Sequence, residues 1–129
     1  MIAVDTKVLV RLLIANDPRQ HDAARAFFGS RLSALSPGFL SLVVIAETAW
    51  VLRSRYGFTL GEVRATLLGV IDSEQVVVER PGIMRAALSH TTADGADWPI
   101  HLLGQEAGCR STVTFDRRFA RHPGVELLG

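Results

Sequence analysis

Short apolar runs alternate with longer stretches of helical spacing from one end of the chain to the other, and that alternation restricts it to the α/β class. Residues 1–4 read as a short buried strand. Residues 6–15 then carry apolar side chains at 8, 9, 12 and 13, one helical face that stops before Asn16-Asp17-Pro18. Pro18 suits the first turn of a second helix reaching Arg31, with Ala23, Ala26, Phe27 and Leu32 as its apolar stripe. Pro37-Gly38 marks a turn before a strand over 39–42, and residues 43–56 read as a helix closed by Gly57 in the left-handed conformation. Thr59 followed by Glu62 forms a capping-box pattern for a helix to Ile71. Strands over 75–79, 112–115 and 125–127 and helices over 83–91 and 97–107 complete the alternation.

A chain of 129 residues, 48% of them hydrophobic, is of single-domain size and can bury a substantial core without staples, so one domain is expected over 1–129. A formal charge of +1 gives no global pull toward nucleic acid or membrane, and any polyanion contact has to come from local clustering. The single Cys109 cannot close an intramolecular disulfide; a small buried thiol and a reducing, cytoplasmic setting are expected. Asp5, Lys7 and Arg11 interrupt the apolar N-terminal stretch, and no segment approaches the length of a membrane span.

Glu47 sits in Ser41-Leu42-Val43-Val44-Ile45-Ala46-Glu47-Thr48-Ala49-Trp50-Val51-Leu52, the most apolar run of the chain. A carboxylate buried there would have to pair, bind a cation or take up a proton. Three further acids stand at strand-to-helix junctions: Asp5 after the first strand, Asp97 opening a late helix, and Asp116 after residues 111–115. If the strands ending at Asp5 and near Asp116 lie side by side, their carboxyl edges place both acids in the crevice where such folds bind ligands. Taken singly, each Asp is equally a helix cap, a role compatible with ligation. Clustered carboxylates without His or Cys suit a hard cation such as Mg²⁺ or Mn²⁺ better than zinc.

The order Asp5-Thr6, Glu47 in an apolar helix, Asp94-Gly95-Ala96-Asp97, and Thr114-Phe115-Asp116-Arg117-Arg118-Phe119-Ala120 resembles the PIN-domain family over nearly the whole chain, and most closely its VapC-type toxin ribonucleases. The resemblance implies a three-layer α/β/α sandwich around a central parallel sheet. It also implies that Asp5, Glu47, Asp97 and Asp116 hold Mg²⁺ or Mn²⁺, so that a metal-activated water hydrolyses RNA phosphodiester bonds. Thr114, Asp94 and Thr6 match secondary positions of the family pattern. Toxins of this type form homodimers and are neutralised by a small antitoxin protein, and Phe27, Phe28, Val63 and Leu67 are the apolar residues expected at such interfaces. The chain departs from the pattern at Lys7 and at Trp98-Pro99, which favour an alternative: a catalytically weak or inactive module on the same fold that binds nucleic acid or protein.

Arg11, Arg53, Arg55, Arg117, Arg118 and Arg121 flank the acids; Arg11, Arg53, Arg117 and Arg118 are the candidate RNA contacts. Trp98, Tyr56 and Phe119 are candidate stacking surfaces for unpaired bases, and Trp50 is read as core. His21, His90, His101 and His122 have neither zinc-ligand spacing nor a nucleophile partner and read as surface or packing residues.

Overall fold

The computed structural model describes residues 1–89 and 97–129. Its elements follow the expected alternation: β1 (Ile2–Ala3), α1 (Thr6–Leu13), α2 (Pro18–Ser30), β2 (Gly38–Leu40), α3 (Leu42–Ser54), α4 (Leu60–Ile71), β3 (Val76–Val78), α5 (Pro81–Leu88), α6 (Asp97–Glu106), β4 (Thr112–Thr114), a 3₁₀ turn (Phe119–Arg121) and β5 (Val125–Leu127). All recorded strand pairs are parallel. β2 lies between β1 and β3, with Ile2 opposite Gly38 and Phe39 opposite Val77, while β4 pairs with β5 from Thr112 opposite Val125 to Thr114 opposite Leu127.

The strand ending at Asp5 therefore does not pair with the strand before Asp116, so the condition under which their carboxyl edges would share a crevice is not met by hydrogen-bonded pairing. β1 is only two residues long, and Ile2 through Asp5 instead line a cleft of about 530 Å³ with residues of α1 and α2.

Local chemistry sets the helix boundaries. The Asp5 carboxylate accepts from the Lys7 amide at 3.2 Å, the Asp17 carboxylate from the Gln20 amide at 3.1 Å, and the Ser41 hydroxyl from the Val44 amide at 3.2 Å, each supplying an orphan donor of a first turn. Ser41 so captured ends β2 at Leu40, two residues earlier than the apolar run alone suggests. Thr59 and Glu62 close the capping box in both directions, at 3.1 and 3.0 Å. The Thr59 amide foremost, and the Thr59 hydroxyl after it, hold the Glu62 carboxyl below the usual glutamate range. Gly57 adopts φ 67 after α3, the left-handed stop that its position suggests.

The main core gathers Val4, Leu9, Leu40, Ile45, Leu52, Leu67 and Met84, so β1, β2 and helices α1 and α3–α5 share one apolar interior. Burying each large side chain contributes about 1.5–3 kcal/mol. α2 joins through Ala24 and Phe28, followed by Leu32, which recur every four residues. Ala23 and Ala26, read as part of that stripe, are exposed, because the buried face lies one position further round the helix. Gly38 is buried between Leu32 and Val4, where a Cβ would meet Leu32 Cδ1 at 2.9 Å and Val4 Cγ2 at 3.0 Å. A smaller cluster of Ala87, Trp98, Phe119 and Val125 ties α5 and α6 to the β4–β5 pair.

Four sequence expectations change here. Phe28, Val63 and Leu67 are core residues and cannot form an interface without unfolding. Cys109 is exposed, because it lies in the turn after α6 and not within the helix. Trp50 is 57% exposed, on the same face of α3 as exposed Val43. Trp98 and Phe119 are buried and cannot stack on a base. Among the described residues, no helix is long and apolar enough to cross a membrane.

Candidate acidic site

Asp5 follows β1 and opens α1, its exposed carboxylate using one oxygen on the Lys7 amide. It stands at the mouth of the cleft between β1, α1 and α2, whose wall also includes Lys7, Val8, Arg11 and Phe27. Thr6, immediately after it, is buried.

Asp116 plays the matching part after β4. Its Oδ1 accepts from the Arg118 amide at 2.8 Å and the Phe119 amide at 3.1 Å, and its own amide donates to the Thr114 hydroxyl at 3.0 Å. Thr114 and Asp116 thus lock one another into the turn that leads to Phe119. The carboxylate is exposed at the carboxyl end of its strand, as is that of Asp5.

Glu47 is exposed, which removes the argument that a buried charge in α3 demands a partner. The buried positions of α3 are Ile45, Thr48, Ala49 and Leu52, and Glu47 falls on the opposite side. An apolar run can thus place a carboxylate in water when the helix is half covered. Asp97 is half-buried in the first turn of α6, where an acidic side chain complements the helix dipole. Its neighbours Trp98 and Pro99 are both buried, and Pro99, third in the helix, has no intrahelical amide bond to lose. Asp94 lies outside the described residues.

Among the described residues, no three His, Cys, Asp or Glu side chains converge in a group that could hold a metal ion. That geometry rules against a closed protein cage of the structural-zinc kind. The all-oxygen donor set still fits a cation of the Mg²⁺ type, which keeps several waters and binds through one or two carboxylates together with substrate phosphates.

Sequence reasoning missed Glu79, at the end of β3, whose carboxylate accepts from the Leu42 amide at 2.9 Å. A third strand thus ends in an acid near the start of a helix, and this one is spent on capping α3 alongside Ser41. Buried His101, paired through Nδ1 with the Thr112 hydroxyl at 2.8 Å and edge-on to Trp98, confirms the packing reading of that histidine.

The basic residues divide. Arg117, Arg118 and Arg121 are exposed around the Asp116 turn. Arg11 is occupied within its own region, donating through Nε to Gln20 at 2.6 Å and through Nη1 to Asn16. Arg53 is half-buried and reaches back to the Phe58 carbonyl, bracing the end of α3. Tyr56 is likewise engaged, accepting from the Asn16 side chain at 2.9 Å.

Parallel strands joined by helices, with exposed acids beyond the ends of β1 and β4, define an α/β architecture with a candidate acidic site. The PIN domain family model matches residues 2–125, and the chain belongs to that family. PIN domains are in general metal-dependent nucleases, which gives this chain a nuclease-type function at that level. Among curated proteins, none matches the chain.

Proposed function

We propose that this PIN-domain chain is an endoribonuclease that uses Mg²⁺ or Mn²⁺, the toxin half of a VapC-type toxin–antitoxin pair acting in the cytoplasm. The observation that carries the reading is the placement of Asp5 and Asp116, exposed acids directly after parallel strands β1 and β4 in a chain of this family. Asp5, Glu47, Asp97 and Asp116 would hold the cation, with Asp94 as a further candidate. When bound, a divalent cation lowers the pKa of a water and offsets phosphate charge.

The protein's own part is positioning. Capping bonds fix Asp5 at the start of α1 and Asp116 in its turn, so the two carboxylates are set before any ligand arrives. Arg117 and Arg118 present guanidinium groups beside Asp116, suited to bidentate contact with RNA phosphate. Thr114 acts through Asp116, holding its amide.

A homodimer and a small antitoxin belong to the same proposal. With Phe28, Val63 and Leu67 in the core, exposed Val43 and Trp50 on α3 are the apolar positions that support a protein contact.

The test is incubation of purified protein with mixed RNA, and separately with single-stranded DNA, in Mg²⁺, Mn²⁺ or EDTA. Cleavage of RNA alone, abolished by EDTA, is the expected result. Folded protein that leaves RNA intact in both metals contradicts the proposal.

A further inference from the structure

Phe115 is 78% exposed, an unusual position for a phenylalanine in a chain that has buried Phe28 and Phe119 within its cores. Its surroundings are more telling than its exposure. It is the residue between Thr114 and Asp116, whose hydroxyl-to-amide bond of 3.0 Å spans it, and Asp116 then grips the next two amides after Arg117. The backbone that carries the ring is therefore held from both sides. Arg117 and Arg118, both exposed, follow within three residues.

We infer that Phe115 is a stacking platform for an unpaired base of the RNA substrate. The inference rests on the nuclease reading and deepens it. An exposed aromatic ring on a fixed backbone, followed in the chain by exposed arginines, is the combination by which sequence-tolerant sites bind single strands: the ring takes the base face and the arginines take the backbone. In a duplex the base faces are already stacked, so the ring offers a helix nothing.

The other aromatic residues do not compete for this role. Trp98 and Phe119 are buried, Tyr56 is hydrogen-bonded to Asn16, and Phe27 is half-buried edge-on to Phe28. Trp50 is exposed, but Val43 shares its helix face, and Arg53, three residues on, is drawn to the Phe58 carbonyl. The surface around Trp50 suits a protein better than a polyanion.

The experiment measures affinity for a short labelled single-stranded RNA and its duplex in Ca²⁺, using wild type, Phe115→Ala, Phe115→Tyr and Leu35→Ala. Leu35 is 99% exposed and precedes β2, at the sheet edge opposite Asp5, so it controls for loss of any surface apolar group. Phe115→Ala should lose about ten- to a hundredfold in affinity for the single strand, with Phe115→Tyr and Leu35→Ala near wild type and the duplex bound weakly by all. An RNA series with one base at a time removed adds a readout specific to stacking. At one position, removing the base should weaken wild type and leave Phe115→Ala unchanged.

Wild type that binds the single strand while Phe115→Ala binds it equally well overturns the stacking role and leaves the nuclease reading standing. Unchanged RNA affinity together with a change from dimer to monomer in Phe115→Ala also overturns it, assigning the ring to a protein contact. Wild type that binds no RNA and cleaves none overturns both readings.

Discussion

Asp116 caps the turn after β4 and, on the proposed function, also binds the cation, and the two roles can be separated. Asp116→Asn keeps an oxygen that can accept from the Arg118 and Phe119 amides but removes the negative charge. Asp116→Ala removes both. Thermal or urea unfolding should place Asn near wild type and Ala about 1 kcal/mol lower, while RNA cleavage should fall about a hundredfold or more in each. Activity that tracks stability across the pair would make Asp116 only a cap. At the same scale, Gly38→Ala forces a Cβ against Leu32 and Val4 in the core, and should cost about 1–3 kcal/mol by urea denaturation.

The capping acids were legible as residues. Asp5, Thr59 and Glu62 occupy the positions that their sequence context requires, since a cap depends on neighbours two or three residues away. Glu47 was read wrongly as buried because hydrophobicity along a run does not say which face of a helix is covered; α3 is covered on the Ile45, Ala49 and Leu52 side. Glu79 escaped notice because its partner, the Leu42 amide, lies on a different element.

At the scale of elements, α4 owes its start to a two-way cap whose strength depends on pH. The Glu62 carboxyl titrates below its ordinary range in the folded protein, so its contribution is fully present above the unfolded-state pKa and is lost as pH falls through the lower, folded value. Urea midpoints of wild type and Glu62→Gln should differ least under the most acidic conditions and diverge as pH rises toward neutrality. A gap independent of pH would show that the carboxylate charge contributes nothing there. Thr59→Ala removes the other half of the box and should cost about 1 kcal/mol.

Element identities were readable because helix and strand periods are local: β5 falls at residues 125–127 as expected, and α1, α2 and α4 begin at the residues their caps indicate. Pairing was not readable. Nothing local in Ile2–Ala3 or Thr112–Thr114 states which strand edge it will meet, and the described strands form a three-stranded sheet with β1 and a two-stranded sheet with β4. The same limit hid the face of α2, where Ala24 and Phe28 and not Ala23 and Ala26 turn inward.

For the whole molecule, the near-neutral charge of +1 means that the proposed RNA affinity has to come from local cations, and Arg117 and Arg118 are the exposed pair beside the acidic turn. Removing each should reduce the slope of log affinity against log salt by about 0.7, the value for single strands. Fluorescence titration across a salt series checks this; an unchanged slope places the phosphate contacts elsewhere. The fold should tolerate those changes, whereas Leu67→Ala, at the centre of the main core, should cost about 2–5 kcal/mol.

On the proposed function, Asp5, Glu47, Asp97 and Asp116 contribute carboxylates to a divalent-metal site that is completed by water and substrate phosphate. Mn²⁺ titration by calorimetry of wild type, Asp5→Asn, Glu47→Gln, Asp97→Asn and Asp116→Asn, each shown to be folded, tests it without relying on a known substrate. The account predicts measurable binding to wild type that is weakened in all four variants. Wild-type affinity retained throughout, or no Mn²⁺ binding by folded wild type, would contradict it.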